Sequence, residues 1–259
     1  MQIKIGNTLY LGGNSNYRLS SPVQGLESPA IRVGSGVYSG RDGGFVSGHY
    51  YGQRTLVLNG FFIGNNCEQA YSLRETLFNL LRIRYRQPII ITTQLGNYYT
   101  EGYVSDVKCN LENEKAGKYQ ITLICPDPFL YKLEGGLEET NTWFSTEITK
   151  NTDTIIGNTT GAEIYPIFRI SSGTIENPSF KNLTTEKSIT LVLEETSIEE
   201  ELVVDIKHRL ITLDGETINY TRSLNSEWWS LISGQNTIIF ENSGSANGII
   251  SYQKGEIGI

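Results

Sequence analysis

Apolar and polar positions trade places along this chain in short runs of period two, the mark of strands buried on one face. Residues 3–10 alternate loosely and read as a first strand ending at Gly12-Gly13. An irregular stretch punctuated by Pro22, Gly25 and Pro29 follows, then a short apolar run at 30–33. Residues 53–63 predict a strong strand, and 89–93, 102–108 and 119–124 predict three more, with turns at 95–97 and 112–117. One segment has another period. Between 68 and 86, Ala70, Leu73, Leu77, Leu80 and Leu81 recur at helical spacing, which predicts a helix capped by Asn65 or Asn66 and stopped by Pro88. Arg82, Arg84 and Arg86 crowd its end. They either compensate the helix dipole or, in a frayed last turn, line one side of a strand and meet an acidic neighbour.

Beyond residue 133 no helical period returns. Pro166 within 164–170 predicts an edge or bulged strand. Ile189, Leu191 and Leu193 fall on one side of the next run, and Leu202, Val204 and Ile206 repeat the pattern. Residues 209–213 and 216–220 flank Asp214-Gly215, the strongest hairpin signal in the chain, and 236–241 and 248–253 complete the series. Seven or so strands, each apolar on one side, predict a two-sheet sandwich.

The junction between these halves is Cys125-Pro-Asp-Pro-Phe129. Two prolines one residue apart donate no ladder hydrogen bonds and hold their predecessors extended, so the strand before them must end. Leu133-Glu-Gly-Gly136 then has a linker's composition. Charge changes here as well. Residues 1–132 hold 13 Lys/Arg against 9 Asp/Glu, and residues 133–259 hold 8 against 19. Two domains are expected, 1–132 and 133–259.

Gly40-Arg-Asp-Gly-Gly44 tolerates the positive φ values of a tight turn. Its flanks, 36–39 and 45–51, look like hairpin arms, yet they are too polar and glycine-rich for core strands. Such an arm is either completed by a neighbouring subunit or a mobile surface hairpin. A dinucleotide-binding loop fails on spacing, because Ser39 stands where the third glycine belongs and no helix starts there.

Composition narrows the function. The 259 residues carry a formal charge of −7, which argues against nucleic-acid binding by bulk charge. No apolar run is long enough for a membrane helix, and the N-terminus lacks a basic region followed by an apolar block, so no signal peptide is expected. Cys67, Cys109 and Cys125 are odd in number and widely spaced; they are expected as reduced, buried thiols in a protein made in the cytosol. The triplets at Asn158, Asn182 and Asn219 match a glycosylation pattern that means nothing without secretion. With only His49 and His208, neither a Ser/His/Asp triad nor a histidine metal site has material, so no catalytic residue, metal or cofactor is expected. Glu199-Glu200-Glu201 beside Glu194-Glu195 reads as a solvated loop face and not as a glycosidase pair. Trp228-Trp229 invites an alternative function, a carbohydrate-binding module for host cell-wall polysaccharide. Neighbours in a strand point to opposite faces, however, so one Trp is expected in the core.

Taken in order, Gly40-Arg-Asp-Gly-Gly44 before a Tyr-rich arm, Arg54-Thr-Leu-Val-Leu-Asn-Gly60 before a single helix, the Cys125-Pro-Asp-Pro-Phe-Leu-Tyr131 junction, Asp214-Gly-Glu216, Glu227-Trp-Trp229 and Gly234-Gln-Asn-Thr-Ile-Ile-Phe240 resemble the distal tail proteins (Dit) of long, non-contractile-tailed phages infecting Gram-positive bacteria. The resemblance implies a mainly β fold. Its first domain is β-sandwich-like, with one α-helix and an extended hairpin; its second is a galectin-like or carbohydrate-module-like sandwich facing outward. It also implies a structural virion protein without enzymatic activity, made in the host cytoplasm and located at the tail tip. There a homohexameric ring joins the tail tube protein to the tail-associated lysin or tail fibre hub and to receptor-binding or other baseplate proteins. Arg41, Asp42, Phe45, His49, Tyr50, Tyr51 and Arg54 are the expected ring-interface residues, and Trp228 and Trp229 the candidate partner or glycan contacts.

Overall fold

The computed structural model describes residues 1–133 and 142–259, apart from the side chains of His49 and Leu81. The chain divides into two compact units, Met1–Asn141 with Glu256–Ile259, and Thr142–Gly255. The expected linker lies, beyond Leu133, outside the described residues. The C-terminus departs from the expected division. The Ile259 amide donates to the Leu26 carbonyl and the Ile257 carbonyl accepts from Arg54, so the last residues belong to the first unit.

That unit contains β1 (Gln2–Ile5), β2 (Leu9–Gly12), β3 (Tyr17–Leu19), β4 (Ile31–Val37), β5 (Gly44–Tyr51), β6 (Arg54–Ile63), α1 (Cys67–Asn79), β7 (Gln87–Thr93), β8 (Gly96–Leu111), β9 (Ala116–Cys125) and β10 (Leu130–Lys132). Its main sheet runs β2-β1-β7-β8-β9-β6-β3. Residues 3–10 are two strands, not one, because Gly6 at φ 61° turns the chain back so that Ile5 pairs with Leu9. The 16-residue β8 spans the sheet's two halves. Its first part, to Gly102, pairs with β7 and its second, from Tyr103, with β9, and a bulge between Val104 and Asp106 follows just after the change. A bulge adds twist and bends the strand, so the sheet curls around its own core of Ile3, Leu11, Leu56, Phe62, Ile89 and Ile121.

Helix α1 closes this core with Ala70 and Leu77, and Asn66 Oδ1 caps it by accepting from the Gln69 amide at 2.8 Å. It ends earlier than its spacing predicts. A single 3-10 turn, Leu80–Arg82, follows, and the backbone is extended from Ile83. Gln87 must reach Gly102 in the ladder, and Pro88 holds it extended, so residues 83–86 are consumed in getting there. Only Arg82 stays at the helical end; Arg86 pairs with Glu101 at 3.1 Å. Cys109 and Cys125 are buried as expected, whereas Cys67, the first residue of α1, is exposed.

The second unit contains β11 (Trp143–Ile148), β12 (Asp153–Asn158), β13 (Ile167–Ile170), β14 (Thr174–Ile175), β15 (Ser179–Asn182), β16 (Lys187–Thr190), β17 (Thr196–Ser197), β18 (Leu202–Asp205), β19 (Leu210–Leu213), β20 (Glu216–Thr217), β21 (Gly234–Glu241) and β22 (Gly248–Gln253). A six-stranded sheet, β11-β22-β13-β18-β19-β20, and a four-stranded sheet, β12-β21-β15-β16, share one core, and β14 pairs with β17. Pro166 does not make an edge strand. The strand starts after it, at Ile167, and β13 sits between β22 and β18. Asp214 (φ 50°) and Gly215 (φ 83°) are both left-handed between the paired Leu213 and Glu216, the two-residue hairpin their sequence predicts. The chain is thus mainly β, and α1 is the single α-helix among the described residues.

Candidate assembly interface

Strands β4 and β5 form a sheet of their own, joined to no other strand among the described residues. The predicted hairpin is longer than its expected arms, because the runs at 30–33 and 36–39 are one strand. Ile31 pairs with Tyr51 and Val37 with Gly44, and a register shift after Gly34 leaves Ser47 unpaired. Gly40 (φ 75°) and Gly43 (φ 99°) make the tip, where the Tyr38 amide donates to the Gly43 carbonyl at 3.3 Å.

Strand alternation sorts the arm into two faces. One carries Ile31, Val33, Ser35 and Val37, with Val46 opposite Ser35. On the other, Arg32 faces Tyr50, Gly34 faces Gly48 and Gly36 faces Phe45. The glycines here do more than weaken the sheet. A Cβ on Gly36 would lie 2.7 Å from the Phe45 ring, and one on Gly48 would lie 2.4 Å from the Tyr50 ring. The rings therefore occupy the space that a side chain on either glycine would need. Both faces meet solvent: Val37 is 85% exposed, Val46 67% and Tyr50 70%, and Ile31, Val33 and Phe45 are exposed too.

The other expected interface residues separate into tip, base and interior. Arg41 stacks its guanidinium 3.8 Å from the Tyr38 ring centroid, and Tyr38 packs on Phe45 with centroids 5.7 Å apart. Asp42 is exposed at the tip. His49 pairs with Val33 through its backbone; its side chain lies outside the described residues. Tyr51 anchors the base, edge-on to Phe129 at 5.8 Å. The sequence marked Tyr38 only as part of a hairpin flank and Phe129 only as part of the junction, not as contacts of the arm.

Arg54 corrects the expectation. It is 1% exposed and cannot face a neighbour. Its Nε donates to the Pro128 carbonyl at 2.7 Å, Nη1 to those of Gly25 (2.5 Å) and Glu27 (2.6 Å), and Nη2 to that of Ile257. Burial lowers its pKa from the usual arginine value, opposed by Cys125 and Asp127. Asp127 organises the same junction, accepting from the Phe129 amide at 3.0 Å and from the Tyr131 hydroxyl at 2.8 Å.

In the second unit the tryptophan pair makes no shared platform. Trp229 is 3% exposed; its Nε1 donates to the Phe180 carbonyl at 3.1 Å, and its ring meets Phe168 edge-on at 5.5 Å. Trp228 is partly buried against the same core, with the Arg222 guanidinium 5.8 Å from its ring. The glutamate cluster is a loop. The amides of Glu199 and Glu200 donate to the Asp214 carboxylate, and Glu201 pairs with Arg169 at 2.9 Å. His208 is exposed, with Nδ1 2.8 Å from Asp205. Among the described residues no His/Cys/Asp/Glu group is placed to hold a metal, and no helix is long and apolar enough to cross a membrane.

With this geometry in place, comparison with known proteins identifies the class. Residues 13–125 match the family model of the phage tail protein RIFT-related domain, and residues 159–255 that of the siphovirus-type tail component, C-terminal domain. Together they define a siphovirus-type tail component. A curated distal tail protein of Bacillus phage SPP1 is 26% identical over 240 residues, covering 91% of each chain. The crystal structure of the SPP1 Dit protein, described as a paradigm of the hub adsorption apparatus in phages infecting Gram-positive bacteria, superposes with a TM-score of 0.70. It covers 91% of this chain and 92% of its own at 19% identity, a likeness of fold. The chain belongs to the distal tail protein family.

Proposed function

We propose that this chain is a structural hub of a phage tail tip, in which six copies close into a ring through the β4–β5 hairpin. One observation carries the reading. An isolated two-stranded hairpin is at best marginally stable in water, yet this one exposes Val37, Val46 and Tyr50 on its two faces. A neighbouring copy that covers them supplies the missing layer. Repeating such a head-to-tail contact by cyclic symmetry gives a closed ring. The ring continues the tail tube and meets the tail-associated lysin or fibre hub protein, while the acidic second unit faces outward and carries receptor-binding or other baseplate proteins. Family membership supports this role in the virion, after synthesis in the host cytoplasm, and supports a structural over an enzymatic one.

Light scattering after size exclusion is expected to give six-fold particles, or monomers that assemble on a tail partner. Deleting residues 41–48 is expected to prevent closure while each monomer stays folded. Rings from the deletion variant would remove the hairpin from the interface, and a monomer that joins no tail complex would remove the hub role. Glycan binding by Trp228 and Trp229 is the alternative; with Trp229 in the core and Trp228 partly buried against it, the pair supports the structural reading better.

A further inference from the structure

We infer that β12 is a self-association edge, at which two copies of this chain join antiparallel about a two-fold axis through Ile155, a contact separate from the ring and independent of it. β12 (Asp153–Asn158) is the last strand of the four-stranded sheet. On its inner side it pairs with β21 over all its residues without a register shift. Its outer side has no backbone partner among the described residues. Alternate residues of such a strand aim their N–H and C=O groups outward, and natural sheets blunt that row with lysine, proline, a bulge or a cover. The opposite edge of the same sheet is covered: the Ser223 and Glu227 amides donate to the Thr190 and Ser188 carbonyls, both at 2.8 Å. β12 uses none of these devices. Residues 154–157 are uncharged and regular, and Ile155 is 65% exposed.

The strand complements itself. Residues 153, 155 and 157 share the outer face of the sheet. In an antiparallel pair centred on Ile155, the two Ile155 side chains stand opposite each other, and Asp153 of each copy stands opposite Gly157 of the other. A Cβ on Gly157 would have nothing within 4 Å, so the carboxylate facing it keeps its water. The two Asp153 residues lie four strand positions apart, roughly 13 Å, so like charges do not meet. Ile155 also continues an apolar strip. It stands opposite Thr237, whose carbonyl accepts from the amide of Leu183, itself 45% exposed, and pairing joins the strips of two copies into one band. The match of Ile155 to itself and of Asp153 to glycine favours a second copy over a strand from another protein. A two-fold pair consumes both edges and closes at two copies. Strands this short bury less surface than a standard stable interface, so the association is weak and depends on concentration. The formal charge of −7 on each chain opposes it, so salt strengthens it.

The test takes the full chain and the variant lacking residues 41–48. Sedimentation up to millimolar concentration is expected to show a reversible doubling of whatever particle each forms, stronger at high salt than at low. Ile155→Lys is expected to weaken the doubling by about tenfold or more, because it removes the apolar contact and sets two cations face to face. Its melting curve is expected to stay unchanged, since the side chain is exposed. Cross-linking with copper-phenanthroline as oxidant, on a Cys67→Ser background, reads the register. Ile155→Cys is expected to form a disulfide with its own copy, whereas Asp153→Cys and Gly157→Cys cross-link only when the two variants are mixed. The absence of doubling in both proteins overturns the inference, as does doubling that survives Ile155→Lys, growth beyond doubling, or a disulfide between two Gly157→Cys chains. Loss of the ring with doubling intact would count against the hub role alone, so the two readings fail separately.

Discussion

The ring of Tyr50 folds back along its own strand over Gly48, so close that a Cβ there would sit 2.4 Å from the ring. Phe45 covers Gly36 in the same way from the opposite strand. Each ring thus occupies space that only a glycine leaves open.

Gly48→Val and Gly36→Val must therefore lift these rings. Both substitutions are expected to leave monomer stability nearly unchanged, within about 0.5 kcal/mol, because the hairpin contributes nothing to either core. Assembly is expected to fail. Urea unfolding of the monomer and light scattering at high concentration check the two halves of the expectation. A variant that still assembles would show that neither ring touches a neighbour.

Arg54 calls for the opposite outcome. Its guanidinium joins four carbonyls from three segments, so removing it leaves several buried acceptors unpaired at once. Arg54→Met is expected to destabilise the first unit by about 3–5 kcal/mol, a cost typical of breaking a buried charged network. Arg54→Lys is expected to recover only part of it, because one ammonium cannot span the fork. Urea unfolding followed by tyrosine fluorescence measures both.

How far the chain could be read in advance follows from where the information resides. Strand alternation marked the buried faces of β6, β9 and β18 because one side of each is apolar, and Asp214-Gly215 marked its turn because few residues accept positive φ. Three features had no local signal. The helix ends early because Gln87 is recruited by Gly102, a partner 15 residues away. Arg54 is buried because three separate segments offer it carbonyls, and a charged residue in a strand otherwise reads as surface. Ser145 and Ser251 share a hydrogen bond because strands 106 residues apart meet in one row. The hairpin was legible as an unusual arm, since its polarity and glycine content were visible. The rings over its glycines were not, because the pairing of Gly36 with Phe45 depends on register.

Trp229 tests the second core. Its indole fills the space beside Phe168 and satisfies the Phe180 carbonyl. Trp229→Ala is expected to cost about 3–5 kcal/mol through the cavity it leaves. Trp228→Ala, at a half-exposed site, is expected to cost less than half of that. Circular dichroism melts of the two variants side by side decide it.

Alkali should separate the two units. Burial raises the pKa of Tyr17, Tyr98, Tyr99, Tyr119 and Tyr131 above the phenol's usual 10, and neighbouring carboxylates raise Tyr99 and Tyr131 further. Burial also pushes the Cys125 thiol from 9 up to about 11. All six groups belong to the first unit; in the second, Tyr165 is raised, by burial and Glu163. A group whose proton is held more tightly when folded gives stability that is complete below its unfolded pKa and lost as pH rises toward its folded pKa. Each fully buried group then costs about 1.4 kcal/mol per pH unit within that window. The loss begins near pH 9 with Cys125 and steepens above 10 as the phenols join. The first unit is expected to unfold there while the second persists. Spectroscopy can see the difference, because all three tryptophans, Trp143, Trp228 and Trp229, lie in the second unit. A cooperative rise in tyrosinate absorbance with an unshifted tryptophan emission maximum is the expected record. Simultaneous transitions of the two signals would mean that the units unfold as one.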